Sequence, residues 1–176
     1  MLPTRFGNVI RSCETYPLKV YGVDSIPAWL RLIAVTPKDY QSLIDDARSQ
    51  TDFFVNLFFI ACVLTIVSGF RIVIDAAHVS QGLQLTSLQW LYPAVCFVSV
   101  AVAALAYRGA LDRAEAWGDL VRGAFDLYLP ALAKQLGYEL PAKAAEREKF
   151  WDAVNNMFLY HTPLKPEDWE QPPAKP

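Results

Sequence analysis

The chain has 176 residues, of which 53% are hydrophobic, and its formal net charge is −2 at pH 7. That length accommodates a membrane hairpin with modest soluble segments and excludes a large catalytic domain. The slight acidic balance lacks the basic excess that draws a protein to nucleic acid, so no nucleic-acid partner is expected.

The first 35 residues read as short helices broken by turns. Thr4 is placed to cap a helix from Arg5 to about Thr15, and Tyr16-Pro17 is expected to end it, because a residue before proline avoids the helical region. Gly22 and Asp24 mark a turn. Ser25 then reads as the N-cap of a helix near Ile26 to Val35, with Pro27 in the first turn.

Thr36-Pro37-Lys38-Asp39 has the form of a helix start, with Thr36 as cap, Pro37 at the first position and Asp39 near the positive end. Tyr40, Leu43, Ile44 and Ala47 continue it with one apolar face. No Gly or Pro intervenes before Gly69, so one helix is expected to run from Pro37 through the apolar segment that follows.

That segment, Phe53 to Phe70, holds no Asp, Glu, Lys or Arg, and neither does Leu88 to Tyr107. Each approaches the ~20 apolar residues that a helix needs to cross a hydrocarbon core of ~30 Å. Residues 79–87 between them read as a short loop, with Gly82 as breaker and Thr86 or Ser87 as cap. Pro93 falls near the start of the second helix, where it is tolerated. Beyond Tyr107 a helical period persists through Ala110, Leu111, Ala114, Trp117, Leu120, Val121, Ala124, Phe125 and Tyr128. Pro130 is expected to kink or break this helix, and Leu136-Gly137 to end it. A last helix is expected over Ala142 to Tyr160, with Phe150, Trp151, Val154, Met157 and Phe158 on one face. The proline-rich tail from His161 cannot build a core.

The fold class expected is therefore an all-α membrane protein, a two-helix transmembrane hairpin with amphipathic cytoplasmic helices on both sides. The segments are a cytoplasmic helical part over 1–51, a first transmembrane helix over 52–78, an outer loop over 79–87 and a second transmembrane helix over 88–108. A second cytoplasmic part over 109–160 and a disordered tail over 161–176 complete the chain. Six Lys and Arg precede the first charge-free run, one, Arg71, lies between the two runs, and nine follow the second. The positive-inside rule then puts both termini in the cytoplasm. Residues 1–12 lack the apolar core of a signal peptide, so insertion is expected to rely on the spans themselves.

Small residues stripe both spans: Ala61, Thr65 and Ser68 on the first, Ser99, Ala103, Ala106 and Ala110 on the second. Such stripes let helix backbones approach closely, within the hairpin or between copies. Three polar residues lie near the membrane. Asn56 is expected at the interface, bonded to water or backbone, with a neighbouring helix as the sharper alternative. Arg71 and Asp75 read as an i,i+4 pair at the outer interface, with a pore-lining role as the alternative.

Signatures of chemistry are missing. The sequence has no G-x-G-x-x-G, no G-x-x-x-x-G-K-[ST], no H-E-x-x-H and no G-x-S-x-G. His78 and His161 have no ligand-like neighbours in sequence, and Cys13, Cys62 and Cys96 form no metal-like spacing. No catalytic residue, cofactor or metal is expected.

Leu2-Pro3-Thr4-Arg5-Phe6-Gly7-Asn8, then Glu14, Tyr21-Gly22-Val23-Asp24 and Trp29-Leu30-Arg31-Leu32 together resemble a family of uncharacterised bacterial membrane proteins. Its members read L-P-T-R-x-G-N, R-Y-G-x-D and W-P-R-L, then two spans and an amphipathic end. Ala124-Phe125-Asp126-Leu127 fits the same pattern. This chain departs at Val20, where the family has Arg, and at Leu30, where it has Pro. The resemblance implies a bacterial cytoplasmic membrane and no particular activity. It also implies that the chain corresponds to the second half of such a protein.

The function expected is that of a non-enzymatic anchor, scaffold or accessory subunit of a membrane assembly. Its partners would be the bilayer and either a second copy or another protein. The alternative is a homo-oligomeric pore. A membrane enzyme ranks last, for want of an acid, base or metal cluster.

Overall fold

The computed structural model describes residues 2–80 and 91–165. Their regular structure is entirely helical: α1 (Arg5–Tyr21), α2 (Ser25–Val35), α3 (Lys38–Ser80), α4 (Leu91–Gln135) and α5 (Ala144–Tyr160). Two of these, α3 and α4, are long and apolar enough to cross a membrane. The expected loop over 79–87, with Gly82, Thr86 and Ser87, falls almost wholly outside the described residues, as does most of the tail.

Local chemistry sets the helix ends. Thr4 caps α1 by accepting from the Gly7 N–H at 3.1 Å. The same helix ends at Gly22, whose φ of +75° is the left-handed conformation that glycine adopts without strain. At the end of α4, Gly137 is likewise left-handed, and the Tyr138 N–H returns to the Ala133 carbonyl.

Four expectations are corrected. The helix α1 does not stop at Tyr16-Pro17 but includes Pro17 and continues to Tyr21. Pro17 is buried, and Tyr16 and Tyr21 on either side of it both donate to Asp126, so tertiary contacts hold the turn that the proline weakens. Pro130 does not break α4, which continues to Gln135. Pro130 itself is exposed, while Leu129, Leu132 and Ala133 around it are buried, and their packing offsets the ~3 kcal/mol an internal proline costs. The N-cap of α2 is Asp24, which accepts from the Ile26 N–H, and Ser25 is the first helical residue. Thr36 closes α2 rather than opening α3, because its hydroxyl donates back to the Leu32 carbonyl at 2.9 Å. In addition, α5 begins at Ala144, two residues later than expected.

The chain divides into two compact units. Unit 1 comprises Met1–Asp46 and Glu115–Pro176, and unit 2 comprises Ala47–Ala114. Unit 1 holds a conventional apolar core. Val23, Ala28 and Leu32 from the first part of the chain pack with Phe125, Leu129, Leu132, Phe150, Trp151, Val154 and Phe158 from the last. Both α1 and α2 therefore cover the aromatics of α4 and α5, one of the arrangements that so much apolar surface demands. Within this core Asn155 is buried and serves as a polar tie. Its Nδ2 donates to the Gly22 carbonyl at 2.6 Å, and its Oδ1 accepts from the Asp24 N–H at 2.9 Å.

Candidate functional site

Unit 2 inverts the polarity of a soluble core. Its interior is built from small and hydroxyl-bearing side chains: Ala61, Ser68, Ser99 and Ala106 are 1–4% exposed. Its large apolar side chains face outward, with Phe59 at 61% and Phe97 at 78% exposure. The stretches of α3 and α4 here run antiparallel. Phe54 meets Gly109, the Phe58 and Tyr107 rings lie 5.7 Å apart, and the Thr65 and Ser99 hydroxyls are 2.8 Å apart. Moving up one helix thus moves down the other.

Close approach has identifiable causes. A Cβ on Gly109 would come within 2.7 Å of the Phe54 ring, so a larger residue there would have to displace that ring. The Thr65 hydroxyl also contacts the Ala61 carbonyl at 2.8 Å and Ser99 donates to the Cys96 carbonyl at 2.9 Å, so both of these hydroxyls are satisfied locally.

Of the residues that the sequence marked, Ala61, Ser68, Ser99 and Ala106 lie buried in this interior, and Thr65 and Ala103 are half-buried. Ala110 and Ala114 extend the same buried row. Asn56 and Arg71 are exposed, and Asp75 is half-buried.

Unit 1 contains two features that sequence reasoning missed. The first is a carboxylate shared by two phenols. Asp126 Oδ1 accepts from the Tyr16 hydroxyl at 3.0 Å and from the Tyr21 hydroxyl at 2.7 Å, and the two rings meet edge to face. The hydrogen bond to Asp126 raises the pKa of Tyr16, while for Tyr21 burial is the leading cause and Asp126 the next. Nearby, Arg122 donates to Asp119, which raises its pKa further.

The second is a cavity of about 240 Å³ whose lining includes Cys13, Glu14, Ser25, Trp29, Trp117 and Phe125. The Trp29 and Phe125 rings stack obliquely at 6.0 Å. The Trp117 Nε1–H is buried and meets no acceptor among the described residues, which costs about 1–3 kcal/mol if unanswered. No sequence pattern joins residues 14, 25, 29, 117 and 125; only the packing of α1, α2 and α4 does.

Among the described residues no cluster of His, Cys, Asp or Glu could hold a metal ion, and Cys13, Cys62 and Cys96 are free thiols. Comparison with protein-family models, with curated proteins and with solved structures finds no match.

Proposed function

We propose that α3 and α4 cross a bilayer as a hairpin and that the protein is a non-catalytic anchor, scaffold or accessory subunit of a membrane assembly. One observation carries the reading: the inverted polarity of unit 2. Large apolar side chains left in water would cost ~25 cal/mol per Å², and only a lipid environment removes that penalty along a whole helix pair. Small residues inside then allow the dispersion contacts and short hydrogen bonds that hold helices together where lipid is as apolar as leucine.

The orientation follows from charge. With six basic residues before the two charge-free runs, one between them and nine after, both termini belong in the cytoplasm and unit 1 on the cytoplasmic face. The sequence resemblance supports a bacterial inner membrane. Unit 1, with its own core, suits a role in holding a partner or a second copy.

A homo-oligomeric pore is disfavoured by the same geometry. A pore needs a polar stripe on the outside of the pair. The Thr65 and Ser99 hydroxyls meet each other instead. Between Phe53 and Val73 the exposed polar residues are Asn56 and Arg71, one toward each end.

Two measurements test the proposal. A cysteine at Gln84 should react only with reagent added from outside the cytoplasm, and cytoplasmic labelling would refute the orientation. The protein purified in mild detergent should run as an assembly larger than one chain. A monomer without partners that turns over a substrate would refute the scaffold role.

A further inference from the structure

We propose that the cavity of unit 1 binds a small primary amine with an aromatic body and one hydrogen-bond acceptor. Three observations point to this chemistry, and none of them depends on the membrane reading.

The first is the wall. Trp29, Trp117 and Phe125 present aromatic surface from α2 and α4. An aromatic body buries well against such rings, and a cation held near their faces is attracted by the ring quadrupole. The volume, about 240 Å³, is smaller than a drug-sized site and fits a fragment.

The second is the charge. Glu14 lines the cavity, and no Lys or Arg does. Glu14 makes no ion pair among the described residues. The adjoining groove between α1 and α2 adds Asp24 and Arg11, so the entrance carries two carboxylates and one guanidinium. Asp24 already caps the start of α2, which leaves that helix end without appetite for an anion. A cation is favoured over an anion.

The third is a polar group. The Ser25 hydroxyl lines the cavity and can donate to a carbonyl on the ligand.

The probe is phenylalaninamide, which carries the ring, the amine and a carbonyl. Titration into the full-length protein in a neutral detergent is followed through the five tryptophan indole N–H resonances. The Trp29 and Trp117 signals should shift saturably while the other three stay in place. N-acetylphenylalaninamide, which lacks the charge, should bind at least fivefold more weakly, and phenethylamine, which lacks the carbonyl, roughly three- to tenfold more weakly. Glu14→Gln, at an exposed position that leaves the core intact, should weaken phenylalaninamide roughly three- to fivefold and leave N-acetylphenylalaninamide unchanged. Trp117→Phe assigns its resonance, and Ser25→Ala should abolish the advantage of the carbonyl. The proposal is overturned if all five signals shift alike, if none shifts at millimolar probe, or if the acetylated probe binds as well as the amine.

Discussion

The Cys13 sulfur occupies the space that a side chain at residue 118 would need, so Cys13 of α1 and Gly118 of α4 form a matched pair. Both are buried. Alanine at 118 would gain about 1 kcal/mol of helix propensity but force the sulfur aside in a packed core, at a cost of ~1–3 kcal/mol. Gly118→Ala should therefore lower the unfolding free energy of the detergent-solubilised protein, and adding Cys13→Ala should recover most of the loss. A single mutant as stable as the parent refutes the pairing.

Asn155 bridges two backbone groups of the α1–α2 turn. Asn155→Ala strands the Gly22 carbonyl and the Asp24 N–H together, and should cost about 2–3 kcal/mol. Hydrogen exchange gives a specific check: the Asp24 amide should lose protection while amides in the middle of α4 keep theirs.

The Tyr16 and Tyr21 pair makes a claim about alkaline pH. Both phenols titrate above the ordinary value of about 10 in the folded state. Above that pH the unfolded chain gives up these protons first, so the folded state binds more of them and stability falls as pH rises. Below about pH 10 the contribution is fully present and flat. Phenolate absorbance should show three late-titrating groups, because burial also raises the pKa of Tyr40. Asp126→Asn should lower the pKa of both Tyr16 and Tyr21, because the carboxylate raises each of them. No response from either would contradict this assignment.

Unit 2 should respond to volume in the opposite sense to a soluble core. Ala106→Leu adds bulk at a position 1% exposed and should separate the helices, lowering resistance to denaturing detergent by about 1–3 kcal/mol. Phe97→Ala removes a large side chain that is mostly exposed and should cost under about 1 kcal/mol in lipid. Thr65→Val loses the hydroxyl facing Ser99 and should cost only ~0.6 kcal/mol, the typical value for an interhelical bond in a membrane. If Phe97→Ala proved the most damaging of the three, the pair would not be lipid-facing as proposed.

The long-period features of this fold are legible in the amino-acid sequence itself. The charge-free runs at Phe53–Phe70 and Leu88–Tyr107 lie within α3 or extend into α4, and the uninterrupted helix-compatible stretch from Pro37 forms the single helix α3. The small-residue rows are visible as spacing alone. Whatever depends on distant residues is not legible in this way. Pro17 and Pro130 look like breaks because the local rule sees only a lost hydrogen bond. Whether the helix survives depends on Asp126 and on Leu132 and Ala133, which enter only through packing. Nothing in the sequence ties Glu14, Trp29 and Trp117 to one another, and only the crossing of three helices brings them to one cavity.

Because unit 1 draws its core from both ends of the chain, its assembly must wait on translation. Val23, Ala28 and Leu32 have no large apolar partners until Phe125, Phe150 and Trp151 emerge from the ribosome, over a hundred residues later for the last two. At ~5–20 residues per second that interval is on the order of ten seconds. Both long apolar helices leave the ribosome within it. The nascent amino-terminal helices are thus exposed to chaperones throughout, and residues 2–46 made alone should be captured by them rather than fold.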